Sequence, residues 1–232
     1  ILTYPSLNEG ELKSRLKELS AIGVTAIRFT GHTQIGGVNV LGKGCVGLVA
    51  QATLDGAPVA LKIRRLDANR PSMKEEARLL RLANSVGVGP TLLVATRNFL
   101  AMQFLEGLPL LRWSERAVAK RMVRNVLRAL LFACFRLDAV GLDHGELSHA
   151  PKNIIVSPKG GPFILDFESA SMSRRPANVT SLLQYFLFGQ LSGRIRHTNL
   201  VQDKREVLGS LTKYKMEPSV GNFQDILLAL RL

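Results

Sequence analysis

Residues Leu41–Val49 read Leu-Gly-Lys-Gly-Cys-Val-Gly-Leu-Val, a glycine pattern that two unrelated kinds of fold use to bring backbone amides close to phosphate groups. In dinucleotide-binding folds such glycines open a helix, and an acidic residue follows about twenty positions later. Here Val46–Ala52 has the character of a strand, and the residue twenty positions after Gly42 is Lys62. The pattern therefore predicts a glycine-rich turn between two strands, with a lysine on the neighbouring strand.

Hydrophobic periodicity on both sides of this turn predicts an α+β fold. An antiparallel meander is expected first, with a hairpin turn at Leu54-Asp55-Gly56. The predicted strands are Thr25–Phe29, Gln34–Leu41, Val46–Leu54, Pro58–Ile63, Thr91–Ala95 and Phe99–Phe104. The predicted helices are Leu7–Ile22, Ser72–Ser85, Ser114–Val140, Thr180–Leu191 and Asn222–Leu230.

Several of these helices carry additional signals. Ser6, with Glu9 three residues later, fits a capping box at the start of the first helix. Asn178-Val179-Thr180 matches a glycosylation acceptor sequence, but in a cytoplasmic setting helix capping is the favoured interpretation. The helix predicted over 114–140 has a buried stripe and a cationic stripe. The buried stripe is Val118, Met122, Val126 and Leu130, and the cationic stripe is Arg121, Arg124 and Arg128.

Composition and charge limit the classes of protein to consider. With 232 residues, 46% apolar and 21% charged, the chain can bury a sizeable core, which excludes disordered and fibrous proteins. The longest apolar run, Ala129–Phe135, is far shorter than the roughly 20 residues that span a bilayer, so we expect a soluble, cytoplasmic protein. Cys45 and Cys134 lack metal-ligand spacing and are expected to be free thiols. The net charge of +13 favours a polyanionic partner such as a nucleotide, RNA or an acidic protein.

The later motifs, combined with the glycine-rich segment, resemble those of atypical protein kinases of the RIO type and of related predicted archaeal serine/threonine kinases. Leu41–Val49 and Val59-Ala60-Leu61-Lys62 resemble the Gly-rich loop and the lysine strand of protein kinases. Residues 144–156 read His-Gly-Glu-Leu-Ser-His-Ala-Pro-Lys-Asn-Ile-Ile-Val, and residues 163–168 read Phe-Ile-Leu-Asp-Phe-Glu. These resemble the H-G-D-L-S-x-x-N-I-L and D-F-G motifs of that family, in the same order.

The resemblance covers about residues 35 to 190 and implies a protein-kinase-like two-lobed fold. It implies a small antiparallel N-lobe over 34–104 and a reduced, mostly helical C-lobe over 105–232, preceded by an N-terminal helix and strand over 1–33. Only eleven residues separate Asp166 from Asn178, which leaves no room for a conventional activation segment.

The resemblance also implies a site for ATP with Mg²⁺ or Mn²⁺. Lys62 and Glu146 are the expected catalytic residues, the lysine at the phosphates and the glutamate as the base. Glu76 is expected to hold Lys62, and its neighbour Glu75 is the alternative. The residues expected to contact ATP are Gly42, Lys43, Gly44, Gly47, Val49, Ala60, Lys62, Glu76, Met102, Gln103 and Leu105. The implied metal ligands are Asp166 and Asn153.

Three positions depart from the family pattern. Glu146 stands where the family has Asp, and because a shift of about 1 Å in a base can cost about a hundredfold in rate, low activity is expected. Six residues rather than four separate Glu146 from Asn153, so Lys152 or His149 is an alternative occupant of that space. Glu168 replaces the motif's glycine, either as a further metal ligand or as a salt-bridge partner.

Three classes of function are weighed on these motifs. The favoured one is ATP-dependent phosphorylation of a protein serine or threonine, which includes autophosphorylation. The second is a RIO-like ATPase or nucleotide-dependent switch that docks on ribonucleoprotein through its basic surface, or a catalytically weak ATP-binding pseudokinase. The third, a small-molecule kinase resembling the aminoglycoside phosphotransferases, is disfavoured because a long, acidic, substrate-binding lower lobe is absent.

Overall fold

Antiparallel strand pairing organises the first half of the chain. The fold is that of a computed structural model, in which residues 1–116, 119–193 and 203–232 are described, with only the backbone of 149–151. The strands of this half are β1 (Val24–Arg28), β2 (Thr33–Ile35), β3 (Val38–Val40), β4 (Gly42–Lys43), β5 (Gly47–Leu54), β6 (Ala57–Arg64), β7 (Leu92–Ala95) and β8 (Phe99–Gln103). The turn between β5 and β6 is Asp55-Gly56, and both residues have positive φ, as a tight hairpin requires.

One face of the resulting sheet forms the first hydrophobic core. The sheet is antiparallel, with the order β1-β5-β6-β8-β7 and with β4 also paired to β5. Leu61, Ile63 and Phe99 point to the face that packs against Leu19 of helix α1 (Glu9–Ala21). Because side chains alternate along a strand, Lys62 points to the opposite face.

A buried arginine connects the N-terminal helix to this sheet. Arg15 of α1 is fully buried, and its guanidinium donates to the carbonyl oxygens of Leu2 and Arg64, both at 2.6 Å. It also donates to the side chains of Glu11 and Asn98 at 3.0 and 3.1 Å. Burial of this charge is offset by four hydrogen bonds, so residues 1–33 are an integral part of the first half.

The second half is mainly helical. Its helices are α3 (Leu110–Glu115), α4 (Lys120–Ala139), α5 (Asn178–Phe188), α6 (Lys204–Met216) and α7 (Val220–Ala229), following α2 (Lys74–Ser85) of the first half. A 3₁₀-helix (Leu147–Lys152) leads into a small sheet of the order β11-β10-β9, where β9 is Leu108–Pro109, β10 is Ile154–Val156 and β11 is Pro162–Ile164.

Asp138 holds three helices of the second half together. Its carboxylate, at the end of α4, accepts hydrogen bonds from the backbone and side chain of Asn178 at 2.9 and 2.7 Å. It also accepts from the Val179 amide at 3.3 Å and from the hydroxyl of Tyr214 on α6 at 3.0 Å. The first backbone amides of the helix that starts at Asn178 have no acceptor within the helix, and a side chain from another element therefore accepts from them.

The chain divides into two compact units. The first comprises Ile1–Asn84 and Pro90–Leu105, and the second comprises Ser85–Gly89 and Glu106–Leu232. The architecture is α+β with an antiparallel sheet. Among residues 1–116, 119–193 and 203–232, no helix combines the length and apolar character needed to cross a membrane. Both cysteines are free thiols, Cys45 exposed and Cys134 buried.

Two predicted elements are interrupted in the structure. The strand predicted over Gln34–Leu41 is instead a short hairpin of β2 and β3, because Gly36 and Gly37 both have positive φ and turn the chain. The helix predicted over 114–140 is broken, since Arg116 and Ala119 have extended backbone angles and α4 begins only at Lys120. No glycine or proline marks this break, so periodicity alone missed it.

The buried stripe and the caps predicted for these helices also need correction. Met122 is 39% exposed, whereas Val126 and Leu130 are buried as predicted and Val118 lies outside the described residues. The cap of α1 is Asn8, which accepts from the Glu11 amide, and not Ser6. Asn178 is the first residue of α5 and does not cap it, since its side-chain amide nitrogen donates to Asp138 and to the carbonyl of Leu142.

Candidate functional site

A buried lysine–glutamate pair lies on the sheet face opposite the first hydrophobic core. Lys62 of β6 pairs in register with Val49 on one side and Leu100 on the other, in the middle of the sheet. Its Nζ donates to Oε1 of Glu76 on α2 at 2.7 Å. Both side chains are almost entirely buried, with 4% and 7% of their surface exposed. The predicted partner of Lys62 is therefore the one the structure provides.

The alternative glutamate faces solvent. Glu75 pairs with Arg78 one helical turn later, with 2.8 Å between Oε1 and Nη2, and both side chains are more than half exposed. This arginine lowers the pKa of Glu75, as expected for a surface pair. The amphipathic character of α2 explains why Glu76 and not Glu75 pairs with Lys62, because Glu76 lies on the buried side of the helix with Ala77 and Leu80.

The glycine-rich segment forms a narrow hairpin beside this pair. Gly42 and Lys43 of β4 pair with Val49 and Leu48 of β5, and the Gly44 amide donates to the Gly47 carbonyl at 2.8 Å. At Gly47 a Cβ atom would come within 3.0 Å of Cγ and 3.2 Å of Cε of Lys62. Glycine at this position therefore leaves room for the lysine side chain.

Lys43 is engaged with the N-terminal segment. Its Nζ donates to the hydroxyl of Tyr4 at 2.7 Å and lies 5.0 Å from the centroid of the Tyr4 ring. The guanidinium carbon of Arg65 lies 5.2 Å from the same centroid, and Arg65 also donates to the Gly44 carbonyl at 3.0 Å. Sequence patterns gave no sign of this cation–π contact, because Tyr4 lies far from the hairpin along the chain.

Three of the predicted ATP-contacting residues share the sheet face of Lys62. Val49 is directly opposite Lys62, Ala60 precedes it by two residues, and Met102 is opposite Ala60, so all three project to the same side. Val49 and Met102 are only half-buried. An apolar, partly exposed surface next to a fixed charge is the kind of lining that ligand sites use.

The remaining two predicted contacts are placed differently. Gln103 is opposite Val59 and therefore lies on the other face of the sheet, and its backbone amide already donates to the Thr91 carbonyl at 2.8 Å. That amide is therefore already used in a hydrogen bond within the first unit. Leu105 follows the end of β8 as the last residue of the first unit and is half-buried.

In the second unit, two polar side chains donate hydrogen bonds to Glu146. One carboxylate oxygen accepts from Nδ2 of Asn153 at 3.1 Å, and the other accepts from the Ser169 hydroxyl at 2.5 Å. Glu146 itself is half-buried, and Asn153 is 4% exposed. Despite the six intervening residues, which form the 3₁₀-helix, Asn153 therefore reaches Glu146. The bond uses the amide nitrogen, so Oδ1, the atom that could bind a metal, does not take part in it.

Asp166 lies at the same end of the β10–β11 hairpin as Asn153. The amide of Leu165 donates to the Asn153 carbonyl at 2.7 Å, and Asp166 is the next residue. Asp166 has a φ of 62°, a left-handed conformation that costs about 1–3 kcal/mol and that occurs preferentially at functional sites. The Glu168 amide approaches Oδ1 of Asp166 at 3.4 Å, so the backbone of Glu168 contacts the aspartate.

His144 packs against the two residues on either side of Asp166. It is fully buried, its ring meets Phe167 edge-on at 5.1 Å, and its Nε2 lies 2.8 Å from the carbonyl oxygen of Leu165. Because a carbonyl only accepts, Nε2 carries the proton and Nδ1 does not. Burial lowers the pKa of His144, against the opposing effect of the nearby carboxylates Asp166, Glu146 and Asp143. A neutral histidine therefore supports the backbone just before Asp166.

A second acid next to His144 is paired with an arginine. Asp143 accepts from Nε of Arg174 at 2.8 Å, and Arg174 also donates to the Ser169 carbonyl at 2.6 Å. Gly145 has a φ of +85°, and a Cβ there would lie 2.6 Å from Arg174 and 2.8 Å from that carbonyl. Glycine is therefore required between His144 and Glu146.

Ser169, Asp143 and Arg174 were not predicted as site residues. They lie on segments without periodicity, and their proximity depends on the bridge between Asp143 and Ser171, which no local pattern reveals. Of the alternatives for the space near Asn153, Lys152 is exposed and the side chain of His149 lies outside the described residues.

No group of three or more His, Cys, Asp or Glu side chains within the described residues is arranged to hold a metal ion. Asp166 and Asn153 nevertheless supply a carboxylate and an amide, the oxygen ligands that Mg²⁺ prefers. No family model matches the chain, and no curated protein is similar enough to count as a match.

Proposed function

We propose that the protein is an ATP-dependent phosphotransferase of the atypical serine/threonine protein kinase type, with a kinase-like two-lobed fold. In this proposal the first unit contributes the phosphate-binding hairpin and Lys62, and the second contributes the base Glu146 and the metal ligands Asp166 and Asn153. The acceptor is a hydroxyl group of a protein, which includes the protein itself.

The observation that carries the proposal is the buried Lys62–Glu76 pair. A buried ion pair is weak evidence for stability, because desolvation of both charges offsets much of their attraction. Here the pair is located behind a glycine hairpin and beside the half-buried Val49 and Met102. A lysine held in place by a carboxylate next to such a surface is suited to binding phosphate oxygens.

The second unit supports the chemical step. Both oxygens of Glu146 accept hydrogen bonds, from Asn153 and Ser169, so its orientation is fixed as a general base requires. A bound Mg²⁺ or Mn²⁺ ion would neutralise charge on the transferred phosphoryl group. Asp166, in its left-handed conformation, would provide the main ligand, and Asn153 would provide a second.

Nucleotide binding with and without Mg²⁺ or Mn²⁺ tests the first unit. We expect Lys62→Ala and Glu76→Gln to weaken ATP binding about tenfold or more, because each disturbs the charge at the phosphates. The matched control is Glu75→Gln, one residue away and exposed, which should bind ATP like the wild type. Equal ATP binding by the wild type, Lys62→Ala and Asp166→Asn would contradict the proposal.

Transfer of radiolabel from [γ-³²P]ATP tests the second unit. Glu146→Gln should reduce the rate by about 10²–10⁴-fold while ATP binding remains, since only the proton acceptor is lost. Asp166→Asn should remove the metal dependence of ATP binding. Label on protein supports the kinase, whereas release of inorganic phosphate without protein labelling, increased by RNA or ribosomal particles, would instead support an ATPase or nucleotide switch.

A further inference from the structure

Helix α4 has an exposed stripe of basic and polar side chains that the proposed phosphotransfer does not use. The stripe consists of Arg121, Asn125, Arg128, Phe132 and Arg136, all exposed and spaced by three or four residues along one side of the helix. At 1.5 Å per residue it is about 22 Å long. From Lys120 to Leu137 the helix contains no Asp or Glu, and the first acid, Asp138, is buried.

This charge distribution works against the stability of the helix. The positive end of the helix dipole is at the N-terminus, where acidic residues are favourable. Helices α1, α2 and α6 follow this rule, for example with Glu9 and Glu11 in the first turn of α1, whereas α5 and α7 have no acid there. Helix α4 has no acid in its first turn and places Arg121, Arg124 and Arg128 three to seven residues apart, where like charges repel.

Two exposed arginines of the stripe, Arg121 at its N-terminal end and Arg128 at its centre, are available to a ligand. Arg121 and Arg128 form no ion pair with any residue in the described ranges. The guanidinium of Arg128 lies 5.8 Å from the centroid of the Phe132 ring, which is 37% exposed. Phe223 of α7 packs against that ring in a T-shaped arrangement, with 5.3 Å between centroids, so the aromatic residue has a defined position.

We infer that this α4 stripe is a binding surface for single-stranded RNA. Arginine presents a planar fork that matches phosphate oxygens, and four of the five cations of α4 are arginines. Phe132 with Arg128 offers a stacking surface, which helps a strand with unpaired bases but not a duplex. Asn125, between Arg121 and Arg128, can both donate to and accept from a 2′-hydroxyl, a group that DNA lacks.

Fluorescence anisotropy of the full chain with a labelled, mixed-sequence RNA of about 16 nucleotides tests this surface. No nucleotide cofactor is added, and the variants lie outside the proposed phosphotransfer site, so its outcome is independent of the kinase proposal. At about 150 mM salt, loss of one phosphate contact on a single strand weakens binding about fourfold. Arg121→Gln with Arg128→Gln should therefore weaken RNA binding about fifteenfold and reduce the salt slope by about 1.4.

The control for the double arginine variant removes two positive charges from a different helix. Lys13→Gln with Lys17→Gln, on the exposed side of α1, should change affinity less than about twofold. Arg121→Lys with Arg128→Lys, which keeps the charge but loses the fork, should lie between the wild type and the glutamine variant. Asn125→Ala should weaken RNA binding and leave binding of the matching DNA strand unchanged.

Several results would overturn the inference. These are absence of RNA binding by the wild type, equal loss in the α4 and α1 double variants, and preference for duplex RNA. Binding to vesicles of phosphatidylcholine and phosphatidylserine in preference to RNA, with the same dependence on Arg121 and Arg128, would assign the stripe to a membrane surface instead. Circular dichroism of each variant shows whether the helix is intact.

Discussion

The two units stabilise their buried carboxylates in different ways. In the first unit Glu76 is opposite the charged Nζ of Lys62, so each charge compensates the other. In the second unit the groups that donate to Asp138, within the described residues, are neutral: the amides of Asn178 and Val179, the side chain of Asn178 and the Tyr214 hydroxyl. The first arrangement is a charge pair, and the second is a carboxylate held by dipoles.

This difference determines how each acid responds to protons. Burial raises the pKa of Asp138, and the hydrogen bonds from Asn178, Val179 and Tyr214 only partly offset that effect. The same burial and the nearby carboxylate raise the pKa of Tyr214. Ionisation of Asp138 therefore makes its burial less favourable. The attraction within the charge pair of the first unit, in contrast, requires both partners to be ionised.

The largest expected effect is loss of one member of the charge pair. Glu76→Ala removes the carboxylate that accepts from Nζ of Lys62 at 2.7 Å, and removal of one partner of a buried pair costs about 3–5 kcal/mol. Urea unfolding at neutral pH measures the change in the free energy of unfolding. Glu75→Ala on the same helix is the control and should be within about 0.5 kcal/mol of the wild type.

The same comparison predicts recovery when both charges are removed. Lys62→Met combined with Glu76→Leu removes both charges of this pair and fills the space with apolar side chains, so the double variant should be more stable than Glu76→Ala. A double variant as unstable as the single one would mean that Glu76 acts mainly through packing and not through Lys62.

Loss of the dipole-held carboxylate should have the next largest effect. Asp138→Ala leaves the buried donors of Asn178 and Tyr214 without their acceptor, at a cost of about 2–4 kcal/mol. Urea unfolding measures it, and Asp225→Ala at an exposed position of α7 is the control. If Asp138→Ala were neutral, Asp138 would not be what connects α4, α5 and α6.

The pH dependence of stability separates the two arrangements further. The folded-state pKa of Asp138 is raised, so above its ordinary pKa near 3.9 the unfolded chain releases a proton that the folded chain retains. The contribution of Asp138 to stability therefore falls as pH rises from about 4 to the folded-state pKa, by at most about 1.4 kcal/mol per pH unit.

Asp138→Asn removes this titration. The free energy of unfolding of the wild type minus that of the variant, measured between about pH 3 and pH 7, should decrease with rising pH and then level off. A difference that is constant would show that folding leaves the pKa of Asp138 unchanged, and one that increases would show that folding lowers it.

The Lys62–Glu76 pair could be predicted from the sequence, whereas the hydrogen bonds to Asp138 could not, and the difference lies in the secondary-structure elements that contribute the partners. Lys62 and Glu76 lie on a strand and on a helix, where alternation and amphipathicity decide which side chains are buried, and the predicted pair is present. Asp138 was not predicted as an anchor. The available signal was an acid at a position of α4 that the apolar stripe would bury, but its partners come from residues 40 and 76 positions away.

The group around Glu146 shows the limits of motif spacing. The spacing of six residues between Glu146 and Asn153 left open whether this asparagine lies near the metal position. The 3₁₀-helix brings Nδ2 of Asn153 to 3.1 Å from Glu146. Ser169 could not be predicted, because it approaches through a loop whose path depends on Asp143 and Arg174. Local sequence determines strands and helices well, whereas the loop geometry at this site depends on tertiary contacts.

The smallest expected effect on stability is at Glu146. Like Asp138, Glu146 accepts hydrogen bonds from neutral donors, but it is only half-buried. Ser169→Ala removes one donor, and because water can replace it we expect a loss of about 1 kcal/mol, less than for Asp138→Ala. A double-mutant cycle of Ser169→Ala with Glu146→Gln, followed by urea unfolding, isolates the interaction, with an expected coupling of about 0.5–1 kcal/mol. A coupling as large as the cost of Asp138→Ala would mean that water does not reach Glu146, and that burial does not explain the difference between these two carboxylates.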